Sequence, residues 1–232
     1  MVFTADPEKT VQFSLVAGGA FHKILERLHL LGPDRLPTWR TAVLVALLTW
    51  LPPALLALGQ SLFHDSYGGW DFFRDETVYT RYLVAIVAMI VTERFADGRI
   101  RMLVDQFLHA HLLESESRER FKTLVARADS RSDSSIAEGV LLAVALVWSW
   151  LSFYFLTAIT EGGWEEWVVA GETHLSWAAY AAELWSSPMF LFLVLRWLWR
   201  FLVWTVLLHG IAKLPLRLNA LHPDRAGGLG FL

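Results

Sequence analysis

No cysteine occurs in these 232 residues. That excludes a disulfide framework, a thiolate metal site and a thiol nucleophile, and it leaves the redox compartment unreadable. Charge is scarce as well. Asp, Glu, Lys and Arg make up 19% of the chain, against about 25% in an ordinary soluble domain. The net charge of −3 gives no basic surface for a nucleic-acid partner. HExxH, GxSxG and Walker-type loops are all missing. His109 and His111 are too close in sequence to share a helix face, and His22 and His29 make only a pair. No metal site and no cofactor is expected. An intramembrane enzyme would need a convergent acid, base or metal set, which the sequence does not offer. The opening MVFTADPEKT carries acids early and lacks an apolar core, so it is not a cleavable signal.

What the chain does have is apolar sequence gathered into long blocks. Hydrophobic residues make up 55% and the mean hydropathy is +0.40. Four blocks approach the span of about 20 residues that a bilayer demands: 41–63, 77–95, 136–159 and 185–209. Backbone groups in lipid must be satisfied within the segment, so these are helices, and no period-2 alternation suggests a barrel. The expected fold is all-α, a polytopic membrane helix bundle with four transmembrane helices plus cytoplasmic amphipathic helices. The block at 77–95 is the most charged, with Arg81 near its start and Glu93–Arg94 near its end. Snorkelling accommodates these in a full span, and a re-entrant hairpin is the rival.

Basic residues alternate by loop. Lys9, Lys23, Arg27, Arg35 and Arg40 precede the first block, and only Arg74 lies between the first two. Arg94, Arg99, Arg101, Arg118, Arg120, Lys122, Arg127 and Arg131 lie between the second and third. None lies between the third and fourth, where Glu161, Glu165, Glu166, Glu172 and Glu183 stand instead. The positive-inside rule then puts both ends of this chain in the cytoplasm. Trp70, Trp164, Trp167 and Trp177 fit an outer interfacial belt. The chain divides accordingly: residues 1–40 an amphipathic cytoplasmic segment, 41–95 a first transmembrane hairpin, 96–135 a cytoplasmic helical loop, 136–209 a second hairpin, and 210–232 a cytoplasmic tail leading towards a further span.

Within the first segment, Phe21, Ile24, Leu25, Leu28 and Leu31 fall on one helical face, opposite His22, Lys23, Glu26 and Arg27, and Gly32–Pro33 ends the run. This helix either lies in the headgroup region or packs on other cytoplasmic helices. In the long loop, Ile100, Leu103, Val104, Phe107 and Leu108 make one apolar stripe. Phe121, Leu124, Val125 and Ala128 make another, and Ser135 with Glu138 reads as a capping box for the third span. Pro52–Pro53 inside the first span is either a packing bend or a hinge that turns carbonyls to a cavity.

Two arginines, Arg196 and Arg200, stand in the apolar run FLFLVLRWLWRFLVW. With the fourth span straight from residue 186 to 208, it is roughly 34 Å long and Arg196 lies near its midplane. An arginine there costs about 2.5–3.5 kcal/mol on the insertion scale. The two share a helix face. They either snorkel or pair structurally, or they face a substrate or ion. Glu93 is the first candidate partner and Glu138 the next.

The tail LPLRLNALHPDRAGGLGFL places His222, Asp224 and Arg225 in a polar turn before Gly227, Gly228 and Gly230. These glycines either bring backbone amides to an anion or let the chain fold back tightly. GGLGFL reads as the start of another hydrophobic segment. HPDRAGGLGFL, together with FSLVAGGAFHKIL and RWLWRFLVW, resembles a family of uncharacterised bacterial multi-pass inner-membrane proteins. The resemblance implies architecture and a bacterial inner membrane, without an activity. The functional expectation is a channel or transporter-like protein with an anion-attracting inner cavity around Arg196, Arg200 and Glu93. The alternative is a non-catalytic scaffold or sensor subunit. The expected partners are the lipid bilayer and either a homo-oligomer or the subunits of a membrane complex.

Overall fold

The computed structural model describes residues 13–16, 18–32, 36–64, 67–109, 113, 115–156, 163–169 and 172–216. A short helix α1 (Gly19–Arg27) leads to the long α2 (Trp39–Phe63). A 3₁₀ turn (Gly69–Arg74) precedes α3 (Glu76–Tyr79), which runs through a π turn (Thr80–Ala85) into α4 (Ile86–His109). Then come α5 (Ser115–Ser132), α6 (Ser135–Leu156) and an antiparallel hairpin, β1 (Glu166–Val169) on β2 (Glu172–Leu175). Last, α7 (Trp177–Ala181) passes through a second π turn (Ala182–Ser186) into α8 (Ser187–Ala212). Among the described residues the named elements are helical apart from that hairpin, which the sequence did not announce.

Three helical stretches are long and apolar enough to cross a membrane: Trp39–Phe63, Ser135–Phe155 and Trp177–Ala212. Four were expected. The block at 77–95 is helical throughout, but Arg81, Glu93 and Arg94 dilute its hydropathy below that of the others.

Each helix starts and docks for local reasons. Thr38 caps α2, its hydroxyl accepting from the Thr41 amide while the Thr41 hydroxyl accepts from the Thr38 amide. The buried face of α2 is built of small residues, Ala42, Ala46, Ala54 and Ala57, while Leu44, Leu47, Leu48, Leu51 and Leu55 are exposed. Small inside and large outside is how membrane helices bring backbones close. Pro52 and Pro53 lack the amides that would bond the Leu48 and Thr49 carbonyls. Both carbonyls find donors on the facing π turn: Trp185 Nε1 at 3.0 Å and Ser186 Oγ at 2.6 Å. The double proline is therefore a docking surface for the π turn that leads into α8, the packing alternative of the two expected.

The start of α6 differs from its expected capping box. Ser134, not Ser135, accepts from the Ala137 amide, and Glu138 is engaged elsewhere. Helix α1 also differs. It ends at Arg27, not near Gly32, because His29 takes a left-handed φ of 56°. Its buried side carries His22 and Leu25, whereas Ile24 and Leu28 are exposed. His22 was assigned to the polar face and Leu28 to the buried one. Its first turn is held by Asp133, just before α6, and by Glu138 in α6, and these contacts set the face it buries.

Three apolar layers stack along the bundle. At the hairpin end, Ala54, Ala57, Phe72, Val78, Tyr82, Trp164 and Ala182 pack together. In the middle lie Ala42, Val45, Ile86, Ile90, Ala145, Phe192 and Leu193. At the other end Phe13, Leu15, Val104, Phe107, Phe121, Val125, Val203, Leu207 and Ile211 form the third layer, where α5 covers α4 and α8. The stripes on 104–107 and 121–128 are buried as their periodicity predicts. Both ends of the described chain lie in this third layer, with Leu113 bridging Leu216.

Candidate functional site

Between the middle layer and the α5 end runs a buried ionic layer. Helix α4 faces the core with Ile86, Ile90, Glu93, Asp97, Val104 and Phe107, one stripe at helical spacing. Helix α8 does the same with Phe192, Arg196, Arg200, Val203, Leu207 and Ile211. The acids and arginines are therefore delivered to each other by the same stripes that build the apolar layers.

Glu93 Oε1 lies 2.5 Å from Arg196 Nη1. Arg200 Nη1 lies 2.7 Å from the same oxygen, at an angle that gives ion pairing without a hydrogen bond. Arg196 Nε donates to Glu138 Oε1 at 2.7 Å, and Arg200 Nη2 donates to the Val16 carbonyl at 2.9 Å. The ring of Phe21 lies under the Arg196 guanidinium at 4.8 Å, within cation–π reach. Arg196 and Arg200 are only 2% and 4% exposed. Two guanidiniums thus face two carboxylates, and the layer is neutral.

The N-terminal segment is threaded through this layer. The other oxygen of Glu138 accepts from the Phe21 amide at 2.7 Å, and Asp133 accepts from the Gly19 amide at 2.8 Å. Acids at a helix N-terminus satisfy amides that have no partner within the helix. Gly19 has a φ of +82°, and a Cβ there would come within 2.3 Å of the Glu138 carboxyl carbon. Ser14 donates to Asp97 at 2.6 Å, Asp97 pairs with Arg101 at 2.7 Å, and Ser132 donates to the Leu15 carbonyl at 2.5 Å. His22 is buried beside these groups. Burial first, and then the Arg196 guanidinium, hold it below its ordinary pKa of 6.5.

Arg196, Arg200, Glu93 and Glu138 are the residues singled out in the sequence, and the structure brings all four together. One feature differs. The arginines face carboxylates, not an open anion-attracting cavity. Arg196 also reaches Glu138 in the first turn of α6, the second of the two partners expected for it. Ser14, Phe21, His22 and Asp97 were not expected here. The paired glycines before Phe21 were the available signal, since they permit a close approach. The tail residues His222, Asp224, Arg225, Gly227 and Gly228 lie outside the described residues.

At the hairpin end a second polar group gathers around Arg81. Three cavities, of about 260, 270 and 420 Å³, all have Arg81 in their walls. Asp75, Glu165 and Glu183 line the first of them. Arg81 lies on one π turn and Glu183 on the other, and such turns recur at functional sites. The guanidinium is near the rings of Phe190 and Tyr82, at 5.9 and 6.0 Å. Unlike Arg196, it has no carboxylate at ion-pair distance among the described residues. Tyr82 OH and Ser187 Oγ are 3.1 Å apart, and Ser187 donates to Glu183 at 3.4 Å. Glu165 is pushed above its usual range by burial, and further by the Glu183 and Asp75 carboxylates. The indole of Trp164 donates to Asp75 at 2.9 Å, fixing one wall.

Compared with known protein families, curated proteins and solved structures, the chain matches none.

Proposed function

We propose that this is a transporter- or channel-like protein of a bacterial inner membrane, with four spans and both ends of this chain in the cytoplasm. The further span, beside the three apolar ones, is the helical stretch from α3 into α4, with Glu93 and Asp97 turned to the bundle and Arg81 and Arg94 on its exposed side. The basic residues then fall on the side of α1 and α5, as the positive-inside rule requires. In this reading the ionic layer is a seal at the cytoplasmic end, clamped over by residues 13–27. The cavities at Arg81 are the entrance from outside.

One observation carries the reading. The buried arginines at one end are neutralised and closed, while Arg81, with no carboxylate at ion-pair distance among the described residues, lines open cavities at the other. An arginine in a membrane helix commonly marks a pathway or a partner. The test is flux from proteoliposomes loaded with chloride or phosphate. Arg81→Gln should slow flux about tenfold, as expected for loss of a charge that selects an ion. Glu93→Gln, which loosens the seal, should instead raise leak. No flux in the parent, or equal flux in Arg81→Gln, would remove the reading.

The alternative, a non-catalytic scaffold or sensor subunit, is favoured by α6. Val140, Val144, Val147 and Leu151 form an exposed apolar stripe on it. A homo-oligomer or a membrane-complex subunit would cover that stripe. Cross-linking of native membranes through cysteines placed at 144 and 147 tests it, and monomer alone speaks against it.

A further inference from the structure

Resting on the four-span reading above, we propose that the groove around Arg81 binds the headgroup of a zwitterionic phospholipid of the ethanolamine type. The phosphate lies on the Arg81 guanidinium and the ammonium lies towards Glu183 and its neighbouring carboxylates.

Two adjoining open cavities that share Arg81 and Phe190 make this groove: Thr77, Thr80 and Ala85 line one, and Trp148, Ser149 and Ser152 of α6 with Leu191 of α8 line the other. Polar groups (Arg81, Glu183 and the hydroxyls of Ser149, Ser152 and Ser187) and apolar ones (Trp148, Phe190 and Leu191) line it together. That mixed lining suits an amphiphile. Hydroxyls of Ser149, Ser152 and Ser187 add donors suited to phosphate oxygens. The Phe190 and Tyr82 rings hold the guanidinium in place, so little side-chain freedom is lost on binding.

Charge selects the headgroup. A purely anionic lipid would gain Arg81 but also meet Glu183 in the same cavities, with Glu165 and Asp75 in one of them, and so be held less tightly than a headgroup that also carries a cation. A purely cationic amphiphile would meet Arg81. A headgroup bearing phosphate and a primary ammonium matches both signs, and the ammonium donates hydrogen bonds to carboxylates.

The test uses the full chain in nonionic detergent, titrated with short-chain phosphatidylethanolamine, phosphatidylcholine and phosphatidylglycerol, with bound lipid counted by native mass spectrometry. Phosphatidylethanolamine should bind about tenfold tighter than phosphatidylglycerol, a difference of about 1.4 kcal/mol. Arg81→Gln and Glu183→Gln should each erase the preference, and Arg74→Gln should keep it. Ser149→Leu, which fills the groove and leaves its charges, should lower all lipid binding there; it keeps the test open if a charge variant fails to fold. Equal binding of the three lipids would mean annular lipid only and would overturn the proposal. So would displacement by soluble phosphoethanolamine or inorganic phosphate at equal concentration, which would make the ligand a free phosphate compound. Binding is read without flux. A lipid preference in a protein with no flux sinks the transport reading alone, and flux without a preference sinks this proposal alone.

Discussion

Glu93 holds two arginines with one oxygen, so its loss has the largest consequence of any residue in the ionic layer. Removing one partner of a buried pair costs about 3–5 kcal/mol, because the other charge is left buried and uncompensated. In Glu93→Ala two guanidiniums face each other, so we expect a cost at the top of that range. Arg200→Met, which leaves Arg196 paired with both carboxylates, should cost less. Thermal unfolding in nanodiscs would show the order, and equal midpoints for the two variants would count against a shared carboxylate. Gly19→Ala meets both a positive φ and the Glu138 carboxyl, so a loss of about 1–3 kcal/mol is expected. Gly59→Ala, with nothing within 4 Å of the added carbon, should be neutral or gain about 0.5–1 kcal/mol. His22 supplies a pH dependence. Its folded pKa is depressed, so its contribution is fully present above the unfolded value and is lost as pH falls from 6.5 towards the folded value. The groups facing it are Arg196, Arg200, Glu26 and Glu93. Midpoints measured from pH 8 to pH 5 should fall in that window, and His22→Gln should flatten the fall. At this scale the arginines and their two acids were legible, because charges in apolar sequence stand out. His22 was not, because amphipathicity read from a helical wheel cannot say which neighbour covers which face.

Among elements, the fit between α2 and the second π turn shows how a local defect becomes an interface. Pro52 and Pro53 free two carbonyls, and the widened turn at Ala182–Ser186 presents Trp185 and Ser186 to them. Ser186→Ala should cost about 1 kcal/mol, the net worth of a typical hydrogen bond. In Pro53→Ala the helix regains an amide that competes for the Thr49 carbonyl. The Ser186→Ala cost should therefore shrink in the Pro53→Ala background, and a double-mutant cycle reads the coupling. Additive effects would mean that the proline does not create the acceptor. The prolines were visible in the sequence as a kink. Their partner was not, since nothing local marks a π turn more than a hundred residues away.

At the scale of the whole molecule, the three apolar layers and the ionic layer between two of them give the bundle an asymmetry of ends. One end is clamped by α1, α5 and the N-terminal segment, and the other is capped by the 3₁₀ turn and the β hairpin. The absence of cysteine makes orientation simple to test, since an introduced thiol is the sole one in the chain. An impermeant maleimide applied from outside should label cysteines at 70 and 172 and leave one at 119 unlabelled. Glu119 suits the inner position because its side chain is 75% exposed, whereas the nearby Ser117 is buried. Labelling at 119 from outside would invert the topology and with it the assignment of seal and entrance.

Composition and the order of apolar blocks were enough to show a helical chain with helices long and apolar enough to cross a membrane, because a bilayer requires long runs of one kind. The periodic stripes on 104–107 and 121–128 were readable for the same reason: each is a property of one helix. What the tertiary structure decided concerns pairs. It chose carboxylates over an open cavity for Arg196 and Arg200, gave Glu138 to α1 and not to its own helix cap, and buried His22. It also gathered Arg81 and Glu183 from two distant π turns into one groove. Each of these depends on which helix faces which, and that choice is made by packing between segments far apart in the chain.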